Sequence, residues 1–315
     1  MQHHLVIGSG PVGAGIAQQL AAQGHSVTVV TRSGTGPIEP SITLAKADAT
    51  DAAALSRHAE GAATIFNCAN PPYHRWGADW PPMHRAIMTA AERTGAVIVM
   101  MDNLYGFGAG RPMPMRPNDP LLATGEKGGV RARMANELLE AHAAGRLRAT
   151  LARASDFYGP GVIDSSLGER VVPRVIAGKK VSVLGRVDVP HSVSYMPDVI
   201  STMVTIGSDE RAWGSAWHVP SAPAVSQREA VEALAAAAGT TAKVGSVPRA
   251  ALTLGGLFNP SLRALKEVLY QFDEPWVIDA SHTEQTFGLA ATPLAEGAAA
   301  TVEWWRQRLA ANPKR

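Results

Sequence analysis

The stretch Leu5-Val6-Ile7-Gly8-Ser9-Gly10-Pro11-Val12-Gly13 decides the fold. Three apolar residues suit a buried strand, the glycines follow at GxGxxG spacing, and Ile16, Leu20 and Ala21 continue at helical spacing toward a second strand over Ser26 to Val30. Strand, glycine turn, helix and strand within about thirty residues form the context that gives this spacing meaning. Gly8 permits the tight turn, Gly10 lets the backbone approach a pyrophosphate, and Gly13 lets the helix pack closely on the strand. Pro11 and Val12 begin the helix, whose N-terminal N–H groups are offered to the phosphates.

Outward from this segment the alternation continues. Ile42-Thr43-Leu44 form a strand running to Asp48, a helix covers about 51 to 59, and Thr64-Ile65-Phe66-Asn67-Cys68 form the next strand. A helix near 83–94 precedes a strand from Ala96 to Met101. A helix over 126–144, with Val130, Met134, Leu138 and Leu139 on one face, precedes a strand from Arg148 to Ala154. Strands separated by helices imply a doubly wound α/β fold with a parallel sheet, of the Rossmann type. Residues 106–120, rich in glycine and proline and without periodicity, are too long for a plain connection and read as part of a site wall. Gly185 to Asp198 reads as a loop and a strand returning to the sheet, about 226–238 as an alanine-rich helix, and the end as a helix bearing Val302, Trp305 and Leu309. The domains expected are 1–157 with 186–228 for the dinucleotide, and 158–185 with 229–315 as a smaller C-terminal substrate-binding cap.

With 315 residues, 46% hydrophobic and 18% charged, the chain can bury one large or two smaller cores, which excludes disorder as its main state. Lys and Arg total 29 against 27 Asp and Glu, and no run of like charge recurs, so nucleic acid or an anionic membrane finds no basic stripe. No stretch reaches the roughly 18 apolar residues of a membrane span. Residues 5–22 lack a basic leader and read as strand and helix rather than as a signal peptide. Cys68 is the single cysteine, which excludes an internal disulfide and fits a reducing cytoplasm. The ten histidines show no metal-binding spacing, so no metal is expected.

Further landmarks follow in order. Asn103-Leu104-Tyr105-Gly106, Arg153-Ala154-Ser155-Asp156-Phe157-Tyr158-Gly159-Pro160-Gly161 and Tyr195-Met196-Pro197-Asp198-Val199 resemble the VYG, RxxNxYGPG and YVxDV motifs of the extended short-chain dehydrogenases/reductases, the NAD-dependent epimerase/dehydratase superfamily. The closing Phe287-Gly288-Leu289, Thr292-Pro293-Leu294, Gly297 and Thr301 to Trp305 are similar to that family's ending. The resemblance runs over the whole chain. It implies a homodimer paired through helices 83–94 and 126–144, where Met134 and Leu138, one turn apart, either supply its apolar centre or face the sheet.

The departures bear on chemistry. The family's catalytic Ser or Thr, Tyr and Lys correspond here to Met101, Gly129 and Arg133, and the nearest lysine, Lys127, has Ala123 four residues before it. A proton must then come from Tyr105, Asp156, an ordered water or the substrate. Tyr105 and Asn103 stand at the carboxyl edge of the fifth strand, where open α/β sheets bind ligands. Asp156 replaces the asparagine of RxxN and reads either as an acid or as the cap of a turn. Arg133 reads either as holding the nicotinamide ribose or as an exposed helix arginine. His191 falls where relatives often carry an arginine that meets a substrate phosphate, which disfavours a nucleotide sugar. Tyr73, Trp76 and Trp80 wall a substrate pocket or pack between helices, and the resemblance puts Tyr158 on the substrate side.

After the second strand, where an NAD enzyme places an acid on the ribose, this chain has Thr31-Arg32-Ser33, a fork and a hydroxyl suited to the 2′-phosphate of NADP. Asp48 and Ala49 are expected at the adenine, and by resemblance Ala69, Asn70, Ala154 and Ser155 complete the cofactor contacts. The expected function is NADP(H)-dependent oxidoreduction of a carbonyl or similar group on a small, largely apolar substrate. The alternative is an NADP(H)-binding sensor without turnover.

Overall fold

The structure, a computed structural model, describes residues 1–311, with the side chains at 249, 251, 253, 256 and 261 outside that description. The last four residues of the expected cap therefore lie outside the described residues. In chain order the elements are β1 (His3–Ile7), α1 (Pro11–Ala22), β2 (Ser26–Thr31), β3 (Ile42–Lys46), α2 (Ala52–His58), β4 (Ala62–Asn67), α3 (Trp76–Thr94), β5 (Val97–Asp102), α4 (Glu126–Ala143) and β6 (Arg148–Arg153). There follow β7 (Asp156–Tyr158), α5 (Val172–Ile176), β8 (Val181–Val183), β9 (Pro190–His191), β10 (Val193–Tyr195), α6 (Met196–Ser208), β11 (Ala216–His218), β12 (Val225–Ser226), α7 (Gln227–Ala238) and β13 (Val244–Ser246). The chain ends with α8 (Arg249–Phe258), α9 (Pro260–Leu265), α10 (Tyr270–Asp273), α11 (Ser281–Phe287) and α12 (Leu294–Ala311).

Two compact units result. The first comprises 1–108, 117–153 and 199–219, and the second comprises 109–116, 154–198 and the chain from 220 onward. In the first unit seven parallel strands run in the order β11-β6-β5-β4-β1-β2-β3, the doubly wound sheet expected from the alternation. Its central strands are apolar on both faces, as burial between helix layers demands: Leu5, Val6, Ile7, Ile65, Phe66, Ile98 and Val99 are all buried. In the second unit β7 pairs with β10, β9 with β12 and β8 with β13. A core of Tyr158, Val172, Val175, Val193, Val231, Leu234, Val302 and Trp305 lies among these elements.

Four expectations are corrected. The strand Val193–Tyr195 does not return to the large sheet, because β11 takes the edge position beside β6 and leaves β10 to pair with β7. The unit boundary accordingly runs near 154 and 199, not at 157 and 186. Helix α3 begins at Trp76, well before 83, although Pro81 and Pro82 lie inside it. Trp76, Trp80, His84, Ile87 and Ala91 are buried at helical spacing, and that tertiary burial outweighs the two missing N–H donors. Met134 and Leu138 are buried in the core of the first unit, on the sheet-facing side of α4 with Val130 and Ala141. They therefore supply no dimer centre, and the exposed residues of α4 include Arg133, Asn136, Glu137 and Glu140. Among the described residues no helix is long and apolar enough to cross a membrane.

One buried ionic cluster fixes the carboxyl edge of the sheet. Asp102, the last residue of β5, accepts from Arg131 Nε at 2.9 Å and Nη2 at 2.6 Å, and from Arg153 Nε at 3.0 Å. Arg131 Nη2 also donates to the Met101 carbonyl at 2.6 Å, and Arg153 Nη1 to the Pro117 carbonyl at 2.8 Å. The guanidinium groups cover the rings of Trp80 and Phe107 at 5.0 and 5.3 Å. Burial, reinforced by Arg131, lowers the nearby His84 to about 4 and keeps it neutral.

Removing the carboxylate leaves two buried cations without their counter-charge, so Asp102→Ala is expected to cost about 3–5 kcal/mol in denaturant unfolding. Burial opposes the Asp102 charge, but Arg131 and Arg153 outweigh it and hold the carboxyl below its usual range. The stabilisation is therefore complete above the ordinary carboxylate range and disappears as pH falls through the depressed value. The stability gap between wild type and Asp102→Ala should stay constant above about pH 5 and shrink as pH falls below it.

Candidate functional site

The glycine turn is built as its spacing requires. Gly8 adopts φ +96°, and a Cβ there would lie 2.8 Å from the Cys68 carbonyl oxygen. A Cβ on Gly13 would run into the Gly8 carbonyl oxygen, so α1 can approach β1 this closely only through glycine. Around Gly10, by contrast, nothing lies within 4 Å of a Cβ, and no side chain caps the helix that begins at Pro11. Backbone therefore borders open space at a helix start, where a dinucleotide's phosphates fit. Val12 is buried and anchors this first turn.

At the exit of β2, Thr31 Oγ1 accepts from Thr35 N at 2.9 Å, and Ser33 Oγ lies 2.7 Å from Thr35 Oγ1. Arg32 is exposed and makes no ion pair among the described residues. Its charge helps to lower Asp48 and Asp79, two carboxylates that the sequence did not place in its reach. Asp48 accepts from Thr50 N at 2.9 Å and Thr50 Oγ1 at 2.8 Å, and these bonds hold it ionised. Ala49 and Ala69 are half-buried and Asn70 is exposed just beyond β4.

The residues expected at catalytic positions lie as follows. Met101 is half-buried in β5, and Arg133 is exposed on α4 with Nη1 3.4 Å from where a Cβ of Gly129 would stand. Asn103 Oδ1 accepts from Tyr105 N at 3.1 Å, which leaves its Nδ2 as the donor available to a ligand. Tyr105 is half-buried, its ring 5.9 Å from Trp76, and Trp76 lies 5.0 Å from Tyr73. Buried Lys127 holds Nζ 4.9 Å from the Tyr73 ring centroid, a cation–aromatic contact that linear spacing did not reveal. Trp76 and Trp80 are buried in the core of the first unit. Trp76 Nε1 donates to the Pro71 carbonyl at 3.2 Å, while Trp80 packs beneath the Arg131 guanidinium.

In the second unit Asp156 Oδ2 lies 2.7 Å from His191 Nε2, and His191 Nδ1 lies 3.0 Å from the Gln271 carbonyl oxygen. The imidazole stacks on Phe272 at 5.3 Å, with 7° between the planes. Ala154 and Ser155 are buried, and Ser155 N donates to Ser194 Oγ at 3.1 Å. Tyr158 is buried under its own unit's core, and that burial pushes its hydroxyl pKa up. Of the loop read as a site wall, residues 109–116 belong to this unit. There Met115 N donates to the Val277 carbonyl and Asp279 N to the Met115 carbonyl, each at 2.8 Å.

Comparison with known proteins agrees with this geometry. A family model described as the NAD dependent epimerase/dehydratase family matches residues 4–216. No curated protein matches the chain. Among solved structures, the Bordetella bronchiseptica enzyme WbmH in complex with NAD+ is similar at 20% identity and a TM-score of 0.74, covering 98% of this chain and 99% of that one. A double mutant of the dTDP-glucose 4,6-dehydratase DesIV from Streptomyces venezuelae, with NAD and DAU bound, is similar at 17% identity and a TM-score of 0.79, covering 98% of each chain. The dTDP-glucose 4,6-dehydratase of Bacillus anthracis in complex with NAD is similar at 15% identity and a TM-score of 0.77, covering 98% of this chain and 97% of that one.

The turn predicts opposite outcomes for two small changes. Gly10→Ala should fold normally yet lose dinucleotide binding, read by quenching of NADPH fluorescence. Gly13→Ala should lose binding and also stability, by about 1–3 kcal/mol for an overpacked position. On α4 the glycines separate likewise. A Cβ at Gly128 would run into the Tyr105 carbonyl oxygen, whereas Gly129 has room. Gly129→Ala should therefore gain up to about 1 kcal/mol in helix propensity, while Gly128→Ala destabilises.

Proposed function

The chain belongs to the NAD dependent epimerase/dehydratase family, and from that premise we propose that it is an NADP(H)-dependent oxidoreductase acting on a carbonyl or similar group of a small, largely apolar substrate. The observation that carries the reading is the glycine turn, where Gly8 and Gly13 bring backbone against backbone and Gly10 leaves the helix start open. The dinucleotide supplies a hydride when bound. The chain's own residues bind it, orient the substrate and manage the proton.

Preference for the 2′-phosphorylated dinucleotide rests on Arg32 and Ser33, an exposed fork and a hydroxyl at the β2 exit. Asp48 and Ala49 serve the adenine, and Ala69, Asn70, Ala154 and Ser155 serve the rest of the cofactor. Arg133 holds the ribose as a fixed cation. Asn103 polarises the substrate oxygen through Nδ2, and Tyr105 delivers the proton. Tyr73, Asp156 and His191 belong to the substrate side, whereas Tyr158, expected there, is buried in the core of the second unit. The relatives of known structure include proteins named for dTDP-glucose. In this chain a carboxylate stands against His191, which disfavours a phosphorylated ligand.

A second reading, an NADP(H)-binding sensor without turnover, is favoured by one observation: Met101 and Gly129 have no proton to give at the positions where relatives keep Ser or Thr and Tyr. Titration separates the claims. NADPH should bind more tightly than NADH, and Arg32→Ala should weaken NADPH by about ten- to a hundredfold, the loss of one charge-assisted contact, while sparing NADH. Equal affinity for the two dinucleotides overturns the NADP assignment. Tight NADPH binding without oxidation across a panel of aldehydes, ketones and enones favours the sensor.

A further inference from the structure

Heavy-atom positions fix the protons of His191. The Gln271 carbonyl oxygen can only accept, so Nδ1, 3.0 Å away, carries a hydrogen. Nε2 then faces Asp156 Oδ2 at 2.7 Å, a contact that needs one proton on the line between them. The proton sits either on the ring or on the carboxyl, and in both cases the pair is neutral overall. Its orientation is locked: the ring is 3% exposed, stacked on Phe272 and anchored at both nitrogens. Asp156 Oδ2 is thereby spent. Its other oxygen, Oδ1, has no hydrogen-bond partner among the described residues, and the side chain keeps 19% exposure. A proton delivered from Oδ1 would have to be a second proton on the pair, so in its resting state this oxygen accepts.

An adjoining cavity repeats the polarity. It is lined by His191, Gln227, Phe272, Ser166, Leu167 and Val193, among others. Gln227 Nε2 donates to the Leu184 and Arg186 carbonyls at 2.6 and 2.8 Å, which fixes the amide against a flip. Gln227 Oε1 is left buried without a partner among the described residues. Gln227 is 5% exposed. Asp156 Oδ1 and Gln227 Oε1 are therefore both acceptors without a partner among the described residues, the first on a residue bonded to His191 and the second on a residue that lines the cavity with His191 and Ser166.

We propose that Asp156 and His191 form a subsite that recognises a neutral hydroxyl group, and that they select hydroxyl-bearing, unphosphorylated ligands. The hydroxyl donates to Asp156 Oδ1. His191, a positioning residue, neutralises the carboxylate so that the subsite does not demand a cation, while the remaining acceptor oxygen repels the oxygens of a phosphate. The proposal rests on the reading that the second unit holds the substrate, and it narrows that substrate to an alcohol or a hydroxy-carbonyl compound.

The test uses the full-length protein labelled with ¹⁵N, with and without NADPH. Nitrogen-correlated spectra of the His191 ring at neutral pH should show a proton on Nδ1 and a strongly deshielded bridging proton at Nε2. Asp156→Asn, close in shape, should abolish the bridging proton and keep the fold. This readout needs neither dinucleotide nor turnover, so its failure is distinct from failure of the oxidoreductase reading. Hydroxyacetone and propylene glycol should shift the His191 signals, and acetone, which lacks the hydroxyl, should not. Asp156→Asn should weaken hydroxyacetone binding about tenfold or more. Inorganic phosphate and uridine diphosphate should leave the ring unmoved. A ring without the bridging proton, an equal response to acetone, or a His191 shift on adding phosphate or uridine diphosphate would each overturn the proposal.

Discussion

Two arginines share one buried carboxylate at the point where the central strands end, and the placement of every residue downstream of β5 in the first unit depends on it. Asp102 closes β5, Arg153 closes β6, Arg131 comes from α4, and the spare N–H groups reach the Met101 and Pro117 carbonyls. A single salt bridge in such a place is weak evidence for stability, because desolvation cancels much of the attraction. Here the carboxylate accepts from two fixed forks, and the forks also donate to the Met101 and Pro117 carbonyls. The cluster thus works as a geometric constraint. It ties helix, strands and the returning loop together and holds the segment carrying Asn103 and Tyr105 at the carboxyl edge of the sheet.

That constraint was not legible in the sequence, and the reason is physical. Linear pattern reports a residue's neighbours along its own element. It revealed β1, the glycine turn, α1 and the parallel sheet because each is coded by local spacing: apolar runs of strand length, GxGxxG, and helical periodicity between them. Asp102, Arg131 and Arg153 meet across three elements, and nothing in their spacing announces it. The Asp156–His191 contact joins β7 to β9 in the same way. Both residues stood out singly as departures from a family pattern, but their pairing appears only once the chain is folded.

Local rules also misled where tertiary burial overrode them. The helix expected near 83–94 starts after Pro81 and Pro82, yet the aromatic and apolar residues at 76, 80, 84, 87 and 91 face the core, and α3 runs through both prolines. Met134 and Leu138, an apolar pair one turn apart, suit either an interface or the sheet. Periodicity alone does not say which partner covers a stripe, and the sheet covers this one. The Tyr73–Trp76–Tyr105 cluster lies between the two descriptions offered for its members, since Trp76 is core while Tyr73 and Tyr105 remain half-buried beside Lys127.

Consecutive glycines at the start of α4 bear on how a member of this family works without its tyrosine. Two glycines in one helical turn sacrifice roughly 1 kcal/mol each against alanine, so each calls for a reason. Gly128 has one in packing, because the turn at Tyr105 to Phe107 presses its backbone against the helix at that position. Gly129 has none. The nearest atoms to its absent Cβ are Arg133 Nη1 at 3.4 Å and the Ala123 oxygen at 3.9 Å, with nothing else within 4 Å. Arg133 is exposed, and its guanidinium, unlike a lysine, is a permanent cation and cannot pass a proton. The proposed hydride chemistry would then draw on orientation and on Asn103 and Tyr105 at the sheet edge, with a substrate for which those suffice.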